Sequence, residues 1–554
     1  MGSAVTAMHA QGQRWALGLV PPLLVALALR WLGLRDQVLT DDELHTVHGA
    51  LTMPVGDIVR NWTFGGADYG VPQAAFFRML MDQGFGLSEL GFRIPSLVAG
   101  LAAVVVIPWL AVDRIGSRAA TVLAWLMAIA PMLVLYSRIV RPYMPVALLA
   151  TAAVLCFARW WSTNSRRAAA GYIACAVVAV YFHLVAAPFV LAPLAYAAVD
   201  CCLHREGRRE RVAGLLTVGS LTLLIILASL LPARESLLEV VGQKRDGLVP
   251  DLATNLDVVR LQIGVTSAVV AAFTFAVALR GILVLWRRNR SFLFYIASLA
   301  GVQILALLFL SPDRIEETLV LGRYLLILLP LAMIPVALGM IEPWLRANTP
   351  SARRVEAGCA AAGIATLFFA GPLASATFLA DPFSHGLSSM NFLEETDSIP
   401  YEYVPPFYHE LKSSPGEQVI LEYPWQNVSV QTFDAYHHVH GGPVLVASVI
   451  DRSAEDRISL QNHVEPIPAR FLESRAHYVV VHLDLRNEAR RLKTSNIHHR
   501  QWLRAEQELW APLRRAGLRM ANRLREVWGP PVYADESIQV WDLDALRSLR
   551  KGNG

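Results

Sequence analysis

The stretch VLTDDELHTVH (38–48) places Asp41, Asp42 and Glu43 directly after the apolar run WALGLVPPLLVALALRWLGL (15–34), with His45 and His48 close behind. A helix cap or a solvated turn needs one such acid. Three in succession exceed that need. Carboxylates crowded at the low-dielectric edge of a membrane hold protons more tightly than an isolated one, which suits a general base. The same group could instead help hold a cation.

Arginines form the second set. Arg93 lies in ELGFRIPSLVAG (89–100), Arg138 and Arg141 in YSRIVRPYM (136–144), and Arg323 beside Tyr324 in VLGRYLLILLP (320–330). Ionisable groups at membrane depth are costly and find partners. One reading has each arginine snorkelling or pairing with Asp41, Asp42 or Glu43. The other has them jointly holding a lipid phosphate, since guanidinium binds phosphate bidentately. On that reading the acids deprotonate an acceptor hydroxyl and the arginines stabilise the phosphate as it leaves.

These residues are positioned by a membrane bundle. Of 554 residues 54% are hydrophobic and only 17% charged, and the mean hydropathy is +0.41. A soluble chain carries more charge. Apolar runs long enough for about 30 Å of hydrocarbon recur through the first two thirds. Eleven spans are expected, near 15–34, 92–112, 119–136, 144–161, 168–182, 184–200, 213–232, 262–284, 291–310, 325–341 and 355–379. The first is read as a retained helix, because no small-residue cleavage site follows it. The stretch 168–200 admits two short helices meeting near His183 or one tilted helix, which would invert everything downstream.

The loops divide by charge. Those at 113–118, 159–167, 201–211, 287–290 and 345–354 are basic, whereas 36–68, 233–260 and 311–317 carry most of the acids. Lys and Arg excess marks the cytoplasmic side. Eleven spans then put the N-terminus inside and the C-terminus outside, and the four arginines face outward against the trend. The first external loop (35–91) contains QAAFFRMLMDQ (73–83), whose apolar and polar residues separate as in an interfacial helix. No basic stripe with interleaved aromatics appears, which argues against a nucleic-acid partner.

Composition changes near 380. PFSHGLSSMNFLEETDSIPYEYVPP (382–406) reads as a boundary. Beyond it EQVILEYP, GPVLVASVI, HYVVVHLDL and ESIQVWDL read as strands, with a helical pattern over 499–527. The expected architecture is a polytopic all-α transmembrane bundle over 1–380 and a soluble extracytoplasmic α/β domain over 381–554. The five cysteines, Cys156, Cys175, Cys201, Cys202 and Cys359, lie in or beside apolar runs without a CxxC pair. They support neither a zinc site nor a disulfide framework. HHVH (437–440) looks like a metal cluster, but no carboxylate or cysteine completes it in sequence, so these are read as surface histidines.

The order of these pieces resembles the GT-C superfamily of membrane glycosyltransferases. The order is an Asp-Glu pair after span one, SELGFRIPSLVAG, YSRIVRPYMPVALL, a His between short spans, then GRYLLILLP. Within that superfamily it is most similar to bacterial relatives of the protein O-mannosyltransferases and the lipid A aminoarabinose transferases. The resemblance covers roughly 15–340. It implies sugar transfer, usually with inversion, from a polyprenyl-phosphate donor on the external face of the bacterial plasma membrane. It puts the base at Asp42 of the Asp42-Glu43 pair, with Asp41 as a competing neighbour, and donor-phosphate binding at Arg93, Arg138, Arg141 and Arg323. Many members carry a His-Pro-Pro element in the first loop. Here ADYGVPQAAFF (67–77) has Pro72 without a His, and Asp68 and Tyr69 are nearby. Some members bind a divalent cation. Asp42, Glu43, Asp68 and His183 could supply ligands, although no spacing demands one.

Two other functions fit part of the sequence. A lipid-linked-sugar flippase would show inverted repeats and broken helices in corresponding halves, and no such symmetry is visible. An inactive glycolipid-binding protein would not need the Asp-Glu pair. The acceptor stays open between a glycolipid, a cell-wall glycan and a protein.

Overall fold

The computed structural model describes residues 15, 17–32, 34, 43, 46–47, 49–50, 53–60, 71–85, 87, 89–204, 207–237, 249–265, 267–312, 315–316, 318–341, 350–371, 373, 401–413, 418–424, 432–433, 436, 439–440, 444–446, 468–474, 476–492 and 510–552. All eleven apolar stretches contain helix. Seven helices are long and apolar enough to cross a membrane, eight with the bent pair Ser117–Ile129 and Pro131–Ser137 counted as one. The expectation of eleven spans therefore exceeds what the described residues provide. Val20–Trp31 has 12 residues and Arg166–Phe182 has 17. Pro350–Phe369 is long enough but carries Arg353, Arg354 and Glu356 near its start.

Two breaks in the bundle have local causes. Arg166–Phe182 ends at His183, whose backbone is extended, and Ala186–Leu203 follows. The stretch 168–200 is thus two helices, not one. The Val185 N–H donates to His183 Nδ1 at 3.2 Å, and Gln303 Nε2 donates to the Val185 carbonyl at 3.1 Å. The second break is the 61° bend at Ala130. Pro131 lacks an N–H, so the Met127 carbonyl loses its helical partner.

Helices Ala268–Arg288 and Leu329–Ile341 pack backbone to backbone. A Cβ on Gly281 would fall 1.7 Å from the Pro335 carbonyl oxygen, and one on Gly339 2.0 Å from that of Val277. Small residues allow this approach between membrane helices. Arg280 adds a hydrogen bond to the Gly339 carbonyl at 3.0 Å. Gly339→Ala forces the pair apart and is expected to cost about 1–3 kcal/mol. Thermal unfolding in detergent measures it, and an unchanged midpoint would disprove the close packing.

The chain divides into two units. One comprises Met1–Leu34, Val55–Leu379 and Met390–Phe392. The other comprises Arg35–Pro54, Ala380–Ser389 and Leu393–Gly554. Residues 35–54, expected as part of the first membrane loop, group with the C-terminal unit.

That second unit is built on a five-stranded sheet of order β2-β1-β3-β5-β4. The strands are β1 (Ile420–Tyr423), β2 (Val444–Val446), β3 (Tyr478–His482), β4 (Tyr533–Ala534) and β5 (Ile538–Asp542). β1 runs parallel to β2 and β3, and β5 antiparallel to β3 and β4. All four sequence-predicted strands are present. Both faces of the sheet are covered. Leu421, Tyr423, Val479, Val481 and Trp541 pack with Met520 and Leu524 of the helix Ala511–Trp528, which falls in the stretch expected to be helical. That helix buries Leu513, Gly517, Met520, Ala521 and Leu524, the i, i+4, i+7, i+8, i+11 pattern of an amphipathic face. Ile420, Val480, Ile538 and Val540 line the other side.

The second face hides a charged chain. His482, at the end of β3, meets Glu422 of β1 through Nε2 and Glu488 of the helix Leu485–Arg491 through Nδ1, each at 2.7 Å. The Tyr408 hydroxyl donates to Glu422 Oε1 at 2.9 Å, and that of Tyr436 to Glu488 Oε2 at 2.6 Å. All five residues are buried. Burial alone would lower the His482 pKa, but Glu488 and Glu422 outweigh it and raise it from 6.5 to about 10. Burial, reinforced by the carboxylates, lifts both tyrosines well above 10, so they remain donors. His440, read as a surface histidine, is instead buried, with its ring 5.8 Å from that of Tyr408. His437 and His438 lie outside the described residues.

Candidate active site

The four arginines of the sequence reading sit at the ends of apolar helices. Arg93 lies near the start of Glu89–Ile115, Arg138 ends Pro131–Ser137, Arg141 precedes Tyr143–Thr163, and Arg323 lies in Thr318–Leu325. Arg93, Arg138 and Arg141 are at most 1% exposed, while Arg323 is half-buried.

Two of them, Arg141 and Arg323, meet at Tyr143. The guanidinium carbons of Arg141 and Arg323 each lie 5.6 Å from the Tyr143 ring centre. Arg323 is also 5.5 Å from the Tyr324 ring. The His183 ring stands 5.5 Å from Tyr143 and 6.0 Å from Tyr324. Three sequence-predicted residues, Arg141, Arg323 and His183, thus lie against one tyrosine that sequence reasoning passed over, and Tyr324 lies against two of the three. Its signal was present: a Tyr between Arg-Pro and an apolar run stands at the membrane boundary, where aromatics anchor helix ends. Cation–π attraction helps hold the two arginines in place. Two cations gathered on one ring favour an anion between or beside them.

The turn carrying Arg138 and Arg141 is tied to its surroundings. Gln73 Nε2 donates to Ser96 Oγ at 3.2 Å, and Ser96 Oγ donates to the Arg141 carbonyl at 3.2 Å. The helix Val71–Asp82, which overlaps the stretch 73–83 expected to lie at the interface, buries Gln73 and Phe77 and leaves Phe76 and Met79 exposed.

A fifth arginine, Arg30, escaped the sequence reading although it interrupts ALALRWLGL within the first apolar run. It is fully buried. Its Nε donates to Ser137 Oγ at 3.0 Å, and its terminal nitrogens to the carbonyls of Ala128 at 3.1 Å, Met127 at 3.3 Å and Ala26 at 3.3 Å. Met127 and Ala128 are the carbonyls beside the Pro131 bend, so Arg30 satisfies backbone that the bend exposes. It also grips the residue preceding Arg138. Gly100 makes the room, since a Cβ there would sit 2.0 Å from Ser137 Oγ and 3.1 Å from Arg30 Nε. Arg30→Ala is expected to cost about 3 kcal/mol, the loss of one to two charge-assisted bonds at buried carbonyls. Denaturation in detergent checks this, and a loss below about 0.5 kcal/mol would show that the bend holds without Arg30.

The acids are placed less fully. Glu43 is completely buried and belongs to the C-terminal unit. Asp41, Asp42, Asp68 and Tyr69 lie outside the described residues. Among the described residues no three His, Cys, Asp or Glu side chains are grouped to hold a metal ion. Of the four residues that could supply ligands, only Glu43 and His183 are described.

A helical membrane bundle with arginines buried at its helix ends, joined to a C-terminal α/β unit, defines the class. The fold is GT-C-like, as the resemblance implies. The family model for dolichyl-phosphate-mannose-protein mannosyltransferases matches residues 71–231, a segment holding Arg93, Arg138, Arg141 and His183. ArnT from Cupriavidus metallidurans, in a crystal structure with undecaprenyl phosphate, is similar over 88% of this chain and 94% of its own, at TM-score 0.50 and 16% identity. Its apo form is similar over 85% and 93%, at the same score and identity. The oligosaccharyltransferase AglB of Archaeoglobus fulgidus, in complex with an inhibitory peptide and a dolichol-phosphate, covers 85% of this chain and 69% of its own at TM-score 0.47 and 14% identity. No curated protein matches by sequence.

Proposed function

We propose that this protein transfers a glycosyl group from a polyprenyl-phosphate sugar to a hydroxyl on the external face of a bacterial plasma membrane. The observation that carries this reading is the convergence of Arg141 and Arg323 on Tyr143, which makes an anion site at the edge of an apolar bundle. The bound undecaprenyl phosphate of ArnT, a protein of the same fold, supports a lipid phosphate as that anion.

In the proposed step Asp42 takes the proton of the acceptor hydroxyl. The acceptor oxygen bonds to the anomeric carbon from the face opposite the phosphate. The carbon–oxygen bond to phosphate breaks, its electron pair stays on the phosphate, and the anomeric configuration inverts. Arg141 and Arg323 stabilise the charge growing on the leaving phosphate, and Arg93 and Arg138 are proposed to add to it. Charge of this kind placed in advance costs no reorganisation during reaction. Tyr324 packs against Arg323 and His183, and His183 against Tyr143. The C-terminal unit, in the same external compartment, helps select the acceptor, which is a glycolipid, a glycan or a protein.

The test is donor consumption. Purified protein is incubated with a panel of polyprenyl-phosphate sugars and a membrane extract as acceptor source. Consumption of one donor with stoichiometric release of polyprenyl phosphate is expected. Donor movement across reconstituted vesicles without phosphate release would instead mark a carrier.

A further inference from the structure

At the other end of the bent helix pair lies a groove of 730 Å³ between helices Val20–Trp31, Ser117–Ile129, Leu329–Ile341 and Pro350–Phe369. Its walls are apolar and include Trp125, Ala361 and Phe368, while Arg118 and Glu356 stand at one end. From this groove we infer a binding site for one anionic phospholipid of the leaflet on the Arg118 side. The inference rests on the bundle crossing a membrane, and its choice of lipid over donor tail rests on the proposed donor-phosphate site.

Three observations carry it. The groove is lined by alanines where larger residues would close it: Ala357, Ala360, Ala361 and Ala365 follow one another at the spacing of a helix face. An apolar channel open to hydrocarbon fills with hydrocarbon, since water has no polar partners there. Its length suits one leaflet. Arg118 and Ile129 both line it, and the helix between them rises about 17 Å, against about 15 Å for half the hydrocarbon core. Its exposed charge is complementary to a headgroup, since Glu356, the ion-pair partner of Arg118, is only 12% exposed. Arg118 is 58% exposed and pairs with Glu356 across 3.5 Å, which leaves donors of the guanidinium fork for a phosphate. Basic pockets between membrane helices recognise anionic headgroups in this way.

The donor's own tail is the competing occupant, and the charge argues against it. The donor phosphate is proposed at the Arg141 end of the bundle, so only hydrocarbon would reach Arg118. A cation at the mouth matches a second lipid whose anion lies on that side.

The full-length protein is reconstituted into vesicles of phosphatidylethanolamine and phosphatidylglycerol in equal amounts, re-extracted in mild detergent and weighed by native mass spectrometry. One retained phospholipid is expected, phosphatidylglycerol over phosphatidylethanolamine by about fivefold. Ala361→Phe fills the groove and is expected to lose the retained lipid. Ala365→Leu is the smaller filling and reads the same loss if the first variant fails to fold. Arg118→Gln is expected to keep a lipid and lose the headgroup preference. A wild-type protein without retained phospholipid, or equal retention by the groove variants, overturns the site. Displacement of the retained phospholipid by added undecaprenyl phosphate, absent in Ala361→Phe, also overturns it by assigning the groove to the donor's tail.

Discussion

Asp42→Asn is expected to lower turnover by about 10²- to 10⁴-fold, the usual contribution of a general base, with the donor KM nearly unchanged. The amide keeps the size and polarity of the carboxylate but cannot take the acceptor's proton. The arginines remain, so the donor phosphate is still held. A rise in KM at constant kcat would instead place Asp42 in binding. Asp41→Asn is the necessary control, because Asp41 competes for the role by adjacency alone. Glu43, whose side chain is wholly buried, is tested in the same way by Glu43→Gln. If Asp41→Asn abolishes turnover and Asp42→Asn does not, the base moves by one residue and the rest of the proposal stands. If neither matters, the acids are structural.

The second large effect is on stability. His482→Ala is expected to destabilise the C-terminal unit by about 3–5 kcal/mol, the cost of leaving buried charge without its partner. Two carboxylates, Glu422 and Glu488, would then face an emptied space. The same group sets a pH dependence. His482 titrates near 6.5 when unfolded and near 10 when folded. Its stabilisation is therefore complete below pH 6.5 and is lost as pH rises through about 10. Between those values the folded state carries one extra proton, so stability falls by about 1 kcal/mol per pH unit. Denaturation of the full-length protein, followed by tryptophan emission, measures both effects. Trp510 and Trp541 lie in the cores of this unit. A wild-type alkaline slope that persists in His482→Ala would assign it to other groups.

Much of the bundle was legible in the sequence because its causes are local. Apolar runs form helices in hydrocarbon because backbone groups have no other partner there. The stretch 168–200 left two short helices and one tilted helix both open, and the extended backbone at His183 decides for two. The four strands followed from β-branched and aromatic runs bounded by turn residues. The arginines were visible because a cation at the end of an apolar run is conspicuous in any window.

The tertiary structure decided what those residues are next to. Arg141 and Arg323 come from distant helices, and nothing in either segment says that one tyrosine lies against both. Arg30 drew no attention within its apolar run, yet the bend at Pro131 gives its guanidinium two exposed carbonyls to satisfy. His482 looked like one residue of a strand, yet Glu422 and Glu488 arrive from a neighbouring strand and a following helix to charge it. Periodicity reports which face of an element is buried. It carries no information about which other element covers that face, and charge pairing, ring stacking and the groove beside Arg118 all depend on that.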